Sequence, residues 1–168
     1  MEKVTVELIG NNIFILEFSS LGDQKQILSN GPWFLFKNLV LFTEISEFSK
    51  ISSLQFNMLE LWVQVQNVSL ACMNRDCSEV IGNKIGRLIE VAVGDDGECW
   101  GKYLQLRVLL DITKPLKRLV RICLREGESP EMLLLQYERL PSFCHRCEII
   151  GHHVREFLLD EVLTEEGK

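Results

Sequence analysis

Leu61-Trp62-Val63-Gln64-Val65 has the period of two that a strand requires, with Val63 and Val65 on one face and Trp62 and Gln64 on the other. The residues after this strand decide the architecture. Ser69 is placed to cap a helix, Met73, Cys77, Val80/Ile81 and Ile85 form its apolar stripe, and Gly86 ends it. Residues 88–93 read as the next strand and Gly94-Asp95-Asp96-Gly97 as a loop. Leu104, Leu106, Val108 and Leu110 mark a long strand whose other face carries Tyr103, Gln105 and Arg107. After Pro115, Val120, Ile122 and Leu124 alternate with Arg121, Cys123 and Arg125, and Leu133, Leu135 and Tyr137 suggest a last strand. This order predicts an α+β fold, an antiparallel sheet covered by helices on one face.

Upstream the pattern is similar. Val4, Val6 and Leu8 alternate with polar residues, Gly10-Asn11-Asn12 is a turn cluster, and residues 13–18 form a second apolar run, so residues 4–18 predict a hairpin. Ser20 with Asp23 resembles an N-cap box for a short helix carrying Leu21 and Leu28, which Gly31-Pro32 stops. Residues 39–43 read as a short buried strand and 44–58 as a connector.

A chain of 168 residues, 46% hydrophobic and 25% charged, is one domain's worth of globular sequence. No run is long and apolar enough to span a bilayer, and the N-terminus lacks the apolar core of a secretory signal. An intracellular protein, nuclear or cytoplasmic, is expected, with no membrane partner and with reduced cysteines available for metal or packing. The net charge of −6 argues against nonspecific nucleic-acid binding by the bulk surface. The charge is uneven, however. Between residues 101 and 125, Lys102, Arg107, Lys114, Lys117, Arg118, Arg121 and Arg125 face a single acid, Asp111.

The sharpest local signal is Cys144-His145-Arg146-Cys147 followed by Gly151-His152. Two thiolates two residues apart can grip one metal ion from a tight turn, and a histidine beyond a glycine bend adds a third donor; this soft, tetrahedral set suits zinc. The spacing is that of a CCHC zinc knuckle through His152, but the fourth ligand position holds Phe157 and no cysteine follows Cys147. Two readings stay open: a decayed knuckle that holds zinc weakly or not at all, and a working three- or four-ligand site. Phe143, Ile149 and Ile150 could form an apolar platform for a base, or pack against the domain. Trp33, Trp62 and Trp100 read as core or half-core residues, and Cys72, Cys77, Cys99 and Cys123 as packing residues.

These blocks together resemble a known family. Asn30-Gly31-Pro32-Trp33, Leu61-Trp62-Val63-Gln64-Val65, Ile81-Gly82-Asn83-Lys84-Ile85-Gly86, Leu106-Arg107-Val108, Asp111-Ile112-Thr113-Lys114-Pro115-Leu116, Tyr137-Glu138-Arg139-Leu140-Pro141-Ser142-Phe143-Cys144 and Gly151-His152 occur in an order similar to the plant retroelement-type domain of unknown function that precedes a CCHC zinc knuckle in Gag-like proteins of LINE-type retrotransposons. The resemblance covers roughly residues 4–157. It implies an RRM-like or ferredoxin-like domain, over 1–140, followed by a knuckle, degenerate here, over 141–158; the charge pattern adds an acidic tail over 159–168. It carries over Cys144, Cys147 and His152 as zinc ligands. Family members usually begin with a further helical segment, so the chain reads as shortened at its N-terminus.

The expected function is nonenzymatic binding of RNA or single-stranded DNA. Arg107, Lys117, Arg118, Arg121 and Arg125 on the basic segment, and Arg146 and Arg155 beside the knuckle, would meet phosphates, with Phe143 under a base. The alternative is a self-association module without nucleic acid. A Cys–His nucleophile pair is the weakest reading, since the metal turn explains the cysteine spacing better. No small-molecule substrate is expected.

Overall fold

The computed structural model describes residues 4–94, 98–123 and 129–152. In chain order the elements are β1 (Val4–Gly10), β2 (Ile13–Phe18), α1 (Leu21–Ser29), β3 (Trp33–Leu35), β4 (Asn38–Val40), β5 (Met58–Gln66), α2 (Arg75–Ile85), β6 (Arg87–Val91), β7 (Leu104–Asp111), β8 (Leu119–Ile122) and β9 (Glu131–Tyr137). The α+β class expected from the alternation pattern is the one observed. No helix among the described residues is long and apolar enough to cross a membrane.

The central sheet has five strands in the order β6-β7-β5-β9-β8, every neighbouring pair antiparallel. Strands β5 and β6 flank β7 and are joined through α2, the arrangement of a split β-α-β unit. Between β7 and β9 the described residues supply the edge strand β8 in place of a second helix. Strict alternation sorts the faces. Leu61, Val63, Val65, Leu104, Leu106, Val108 and Leu133 are at most 1% exposed and share one core with Ile81 and Ile85 of α2. Each such side chain contributes about 1.5–3 kcal/mol relative to exposure.

Helix α2 starts at Asn74, whose side chain accepts from the Cys77 N–H at 2.9 Å, and not at Ser69, which precedes a single 3-10 turn, Leu70–Cys72. The later start rotates the buried stripe to Ser78, Ile81, Gly82 and Ile85 and leaves Val80 exposed. Ser78 tolerates burial because its hydroxyl donates to the Asn74 carbonyl at 2.7 Å. Gly86 ends the helix as expected.

The helices do not share one face. Helix α1, capped by Ser20, has no buried residue, so it offers no stripe to add to the α2 layer. Its C-terminal end instead meets the opposite, polar face, where Arg107 donates to the Ser29 carbonyl at 2.8 Å. The β1–β2 hairpin turns at Asn11 and Asn12, both at positive φ. A second small hairpin, β3–β4, turns at Phe36 and Lys37, also at positive φ. In place of the expected 39–43 strand stands the shorter β4.

Candidate metal centre and nucleic-acid interface

The chain after β9 doubles back on itself. The Cys144 N–H donates to the Ile149 carbonyl at 2.9 Å, and the Glu148 N–H to the Cys144 carbonyl at 2.7 Å. Phe143 and Ile150 form an antiparallel bridge, and the Gly151 N–H closes on the Ser142 carbonyl at 3.0 Å. Glu148 (φ 63°) and Gly151 (φ 103°) take the left-handed conformations this reversal needs. The turn is fastened to the domain by the Leu116 N–H, which donates to the Glu148 carbonyl at 2.8 Å, and by an ion pair of 2.6 Å between Arg118 Nε and Glu148 Oε1.

Inside this reversal the donor atoms of Cys144, Cys147 and His152 lie within 4.8 Å of one another. Cys147 Sγ and His152 Nε2 are 3.2 Å apart. Donors bound to one tetrahedral zinc at about 2.0–2.3 Å sit roughly 3.5–3.8 Å from each other, so the set closes on an ion with small movements. Two thiols and an imidazole are the donors zinc favours. The Cys147 backbone N–H bonded to the Cys144 sulfur holds that thiol below its ordinary range; the Arg146 N–H and the Arg146 charge act the same way, against the effect of burial. That bias toward thiolate is what a metal ligand needs.

Residues 110–159 match the zinc knuckle family. The match takes in all three donors, and the C-terminal part of the chain contains a CCHC-type knuckle whose cluster supports zinc binding. A distant relative is an uncharacterized protein of Arabidopsis thaliana, 28% identical over 134 residues, which are 78% of this chain and 41% of that protein. The chain thus spans about two fifths of that relative's length. No solved structure matches.

The knuckle is docked rather than pendant. Ile150 is 5% exposed within the core, and Phe143 packs against that core while its ring lies 4.5 Å from the His145 ring. Packing, one of the two alternatives for Phe143 and Ile150, is the arrangement observed. Arg146 and His145 are exposed at the tip.

The basic residues divide. Arg107 is held by Glu60 at 2.6 Å, Glu90 at 3.7 Å and the Ser29 carbonyl. Lys117 donates to the Lys84 carbonyl at the end of α2, and Arg118 is paired with Glu148. Arg121 is exposed, opposite Met132 in the register. Strand alternation does put Arg107 and Arg121 on one face. The register separates them by three strands, about 14 Å, and by roughly 20 Å along the strand direction, so they do not make one patch. Arg125, Arg155 and Phe157 lie outside the described residues.

Two residues depart from what the sequence pattern indicates. Arg139, quoted in the Tyr137–Cys144 block but given no role from sequence, donates to the carbonyls of Asn30 at 3.0 Å and Pro32 at 2.7 Å, tying the α1–β3 junction to the end of β9. Trp100, expected in the core or half-core, is 67% exposed, because residues 98–103 precede β7 outside the sheet. Its neighbours Gly101 and Lys102 are the available signal: a tryptophan flanked by glycine and lysine is poorly placed for burial.

Proposed function

We propose that this chain is a nonenzymatic module that binds single-stranded nucleic acid, RNA or DNA, through a zinc-organised turn, and that it derives from a retroelement Gag-like protein. The convergence of Cys144, Cys147 and His152 within 4.8 Å carries the reading. Zinc, when bound, supplies a fixed positive centre that locks the reversal. The chain's own part is to carry the exposed tip of the turn, with Arg146 and His145, to the phosphates. Treating all three donors as metal ligands takes up the cysteine and histidine that a nucleophile–base pair would use, which supports a nonenzymatic role. The order of the sequence blocks supports the proposed origin.

Arg107 is held between two carboxylates, so Lys117, Arg118, Arg121, Arg125, Arg146 and Arg155 of the expected set are the ones proposed for phosphate. A titration of single-stranded RNA over a salt series should then give a negative log–log slope no steeper than about −4. Zinc content near one per chain, lost in Cys144→Ser, is expected alongside. An affinity that does not change with salt would defeat the proposal.

One observation favours a second reading, self-association. The β1–β2 hairpin exposes Val6 at 59%, Leu8 at 66% and Phe14 at 50%, and a two-stranded ribbon has two open edges. Concentration-dependent sedimentation without any nucleic-acid shift would select it.

A further inference from the structure

The three residues before β8 are gripped by the metal turn on one side and by β9 on the other. From the turn, the Glu148 carbonyl accepts from the Leu116 N–H at 2.8 Å, and Glu148 Oε1 pairs with Arg118 Nε at 2.6 Å. From β9, the Tyr137 hydroxyl donates to the Lys117 carbonyl at 2.8 Å, and the Leu135 N–H to the Arg118 carbonyl at 2.9 Å. The Lys117 ammonium also reaches the Lys84 carbonyl of α2. Strand β8 itself is four residues long, lies at the edge of the sheet and pairs only with β9 among the described residues. Such a strand opens more readily than the central strands. Val120 and Ile122, each 5% exposed, keep its inner face in the core, so opening is a rare event whose frequency the grip on residues 116–118 controls.

We propose that the knuckle is a metal-operated clasp on this edge, with Glu148 as its positioning residue: ligation of Cys147 and His152 fixes Glu148, which holds residues 116–118 against β9, and loss of metal lets β8 open from β9 more often. Glu148 follows Cys147 directly and precedes His152 by four residues, at φ 63°, so two of the three donors flank it in the chain. Tying both flanks to one ion restrains the Glu148 carbonyl and carboxylate together, which the single hydrogen bonds of the turn do less firmly. Cys144, fully buried, and Ile150, 5% exposed, seat the same turn on the core, so the restraint reaches the domain and does not end in the knuckle. Arg118 adjoins β8 and Arg121 lies on it, so metal occupancy sets how this basic edge is presented. The clasp rests on the zinc part of the reading above and adds its regulation.

The test is amide hydrogen exchange on the full chain, read by NMR with zinc bound and after chelation. Chelation should speed exchange at Leu116 and Leu135 by about tenfold and leave the amides between β5 and β7 unchanged. Cys144→Ser in the presence of zinc should give the chelated pattern. Arg118→Gln removes one strand of the grip and no metal ligand. With zinc bound it should speed exchange at Leu116 and Leu135 by about twofold, and after chelation it should have no further effect, because the two changes act through one link. Exchange that quickens only within residues 143–152, or at every amide alike, would overturn the clasp while zinc uptake stands. So would an Arg118→Gln effect that is the same with and without zinc. A chain that takes up no zinc would defeat the metal reading and the clasp together, whereas a zinc-loaded chain that shows the expected exchange but binds no RNA would defeat the single-strand reading alone.

Discussion

Arg139 Nη2 sits 2.7 Å from the Pro32 carbonyl oxygen, and its Nη1 lies 3.0 Å from that of Asn30. One guanidinium thereby joins two stretches more than a hundred residues apart, the Asn30-Gly31-Pro32-Trp33 block and the Tyr137-Glu138-Arg139-Leu140-Pro141 block. Trp33 fixes the same junction from its other side, its indole N–H donating to the Ile27 carbonyl at 2.7 Å. Carbonyls at a chain reversal need donors, and a planar fork with several N–H groups reaches more than one of them. Arg139→Ala should cost about 1–2 kcal/mol, the low end for charged hydrogen bonds because the residue is exposed. Arg139→Lys should recover less than half of that, since an ammonium cannot hold two carbonyls in the fork geometry. Urea denaturation of the three proteins checks this, and full recovery by lysine would show that charge alone matters.

Arg107 and Arg121 carry the same charge on the same sheet face and should behave in opposite ways. The Arg107 side chain is 13% exposed between Glu60 and Glu90, so Arg107→Ala leaves two carboxylates without their cation and should destabilise the fold by about 2 kcal/mol. Its effect on the salt slope of RNA binding should be nil. Arg121→Ala should stay within about 0.5 kcal/mol in stability and reduce that slope by roughly 0.7. Paired chemical denaturation and RNA titrations separate the two, and equal effects on the slope would contradict this division.

The reasons that Arg107 misleads in sequence and the metal triad does not are physical. Cys144, Cys147 and His152 meet through a reversal only nine residues long, so spacing alone carries their geometry. The partners of Arg107 come from Ser29, Glu60 and Glu90, three distant positions that no local pattern links. Strands β5, β7 and β9 are legible because one face is buried and the other polar. The β3–β4 hairpin is not, because Phe36 and Lys37 occupy its two left-handed positions where glycine or asparagine would have given the signal. The start of α2 is illegible for a related reason: Ser69 and Asn74 are both cap residues, and only tertiary packing chooses between them.

The Ile81-Gly82-Asn83-Lys84-Ile85-Gly86 block owes its two glycines to close packing. A Cβ on Gly86 would lie 2.5 Å from the Leu109 carbonyl oxygen and 2.8 Å from Val108 Cγ1, with the strand backbone unable to yield. A Cβ on Gly82 would meet Leu88, at 2.6 Å from Cδ1, the movable end of a half-buried side chain. Gly86→Ala should therefore cost about 3 kcal/mol, the upper range for overpacking. Gly82→Ala should cost about 2 kcal/mol less, because Leu88 can turn aside and alanine favours the helix by about 1 kcal/mol. Thermal denaturation ranks the pair, and equal losses would mean that Leu88 is as immovable as the β7 backbone.

Alkaline pH should destabilise the domain through one buried and one half-buried acid. Burial, helped by the nearby Cys77 thiol and the Glu131 carboxylate, pushes Cys72 up from 9.0 to about 11. Burial also raises Tyr137 from 10.0 to about 12, although its hydroxyl donates to the Lys117 carbonyl at 2.8 Å. Below pH 9 both groups are protonated whether the chain is folded or not, and their contribution to stability is fully present. As the pH rises past 9 the unfolded chain loses the Cys72 proton first and gains free energy that the folded chain cannot match until about pH 11. Stability should fall through that window, and fall further between about 10 and 12 on account of Tyr137. Cys72→Ala should flatten the decline above pH 9, and Tyr137→Phe the decline above pH 10, whatever each does to stability at pH 7. Urea midpoints measured from pH 8 to 11 decide the matter, and variants whose midpoints run parallel to the wild type would place the alkaline sensitivity elsewhere.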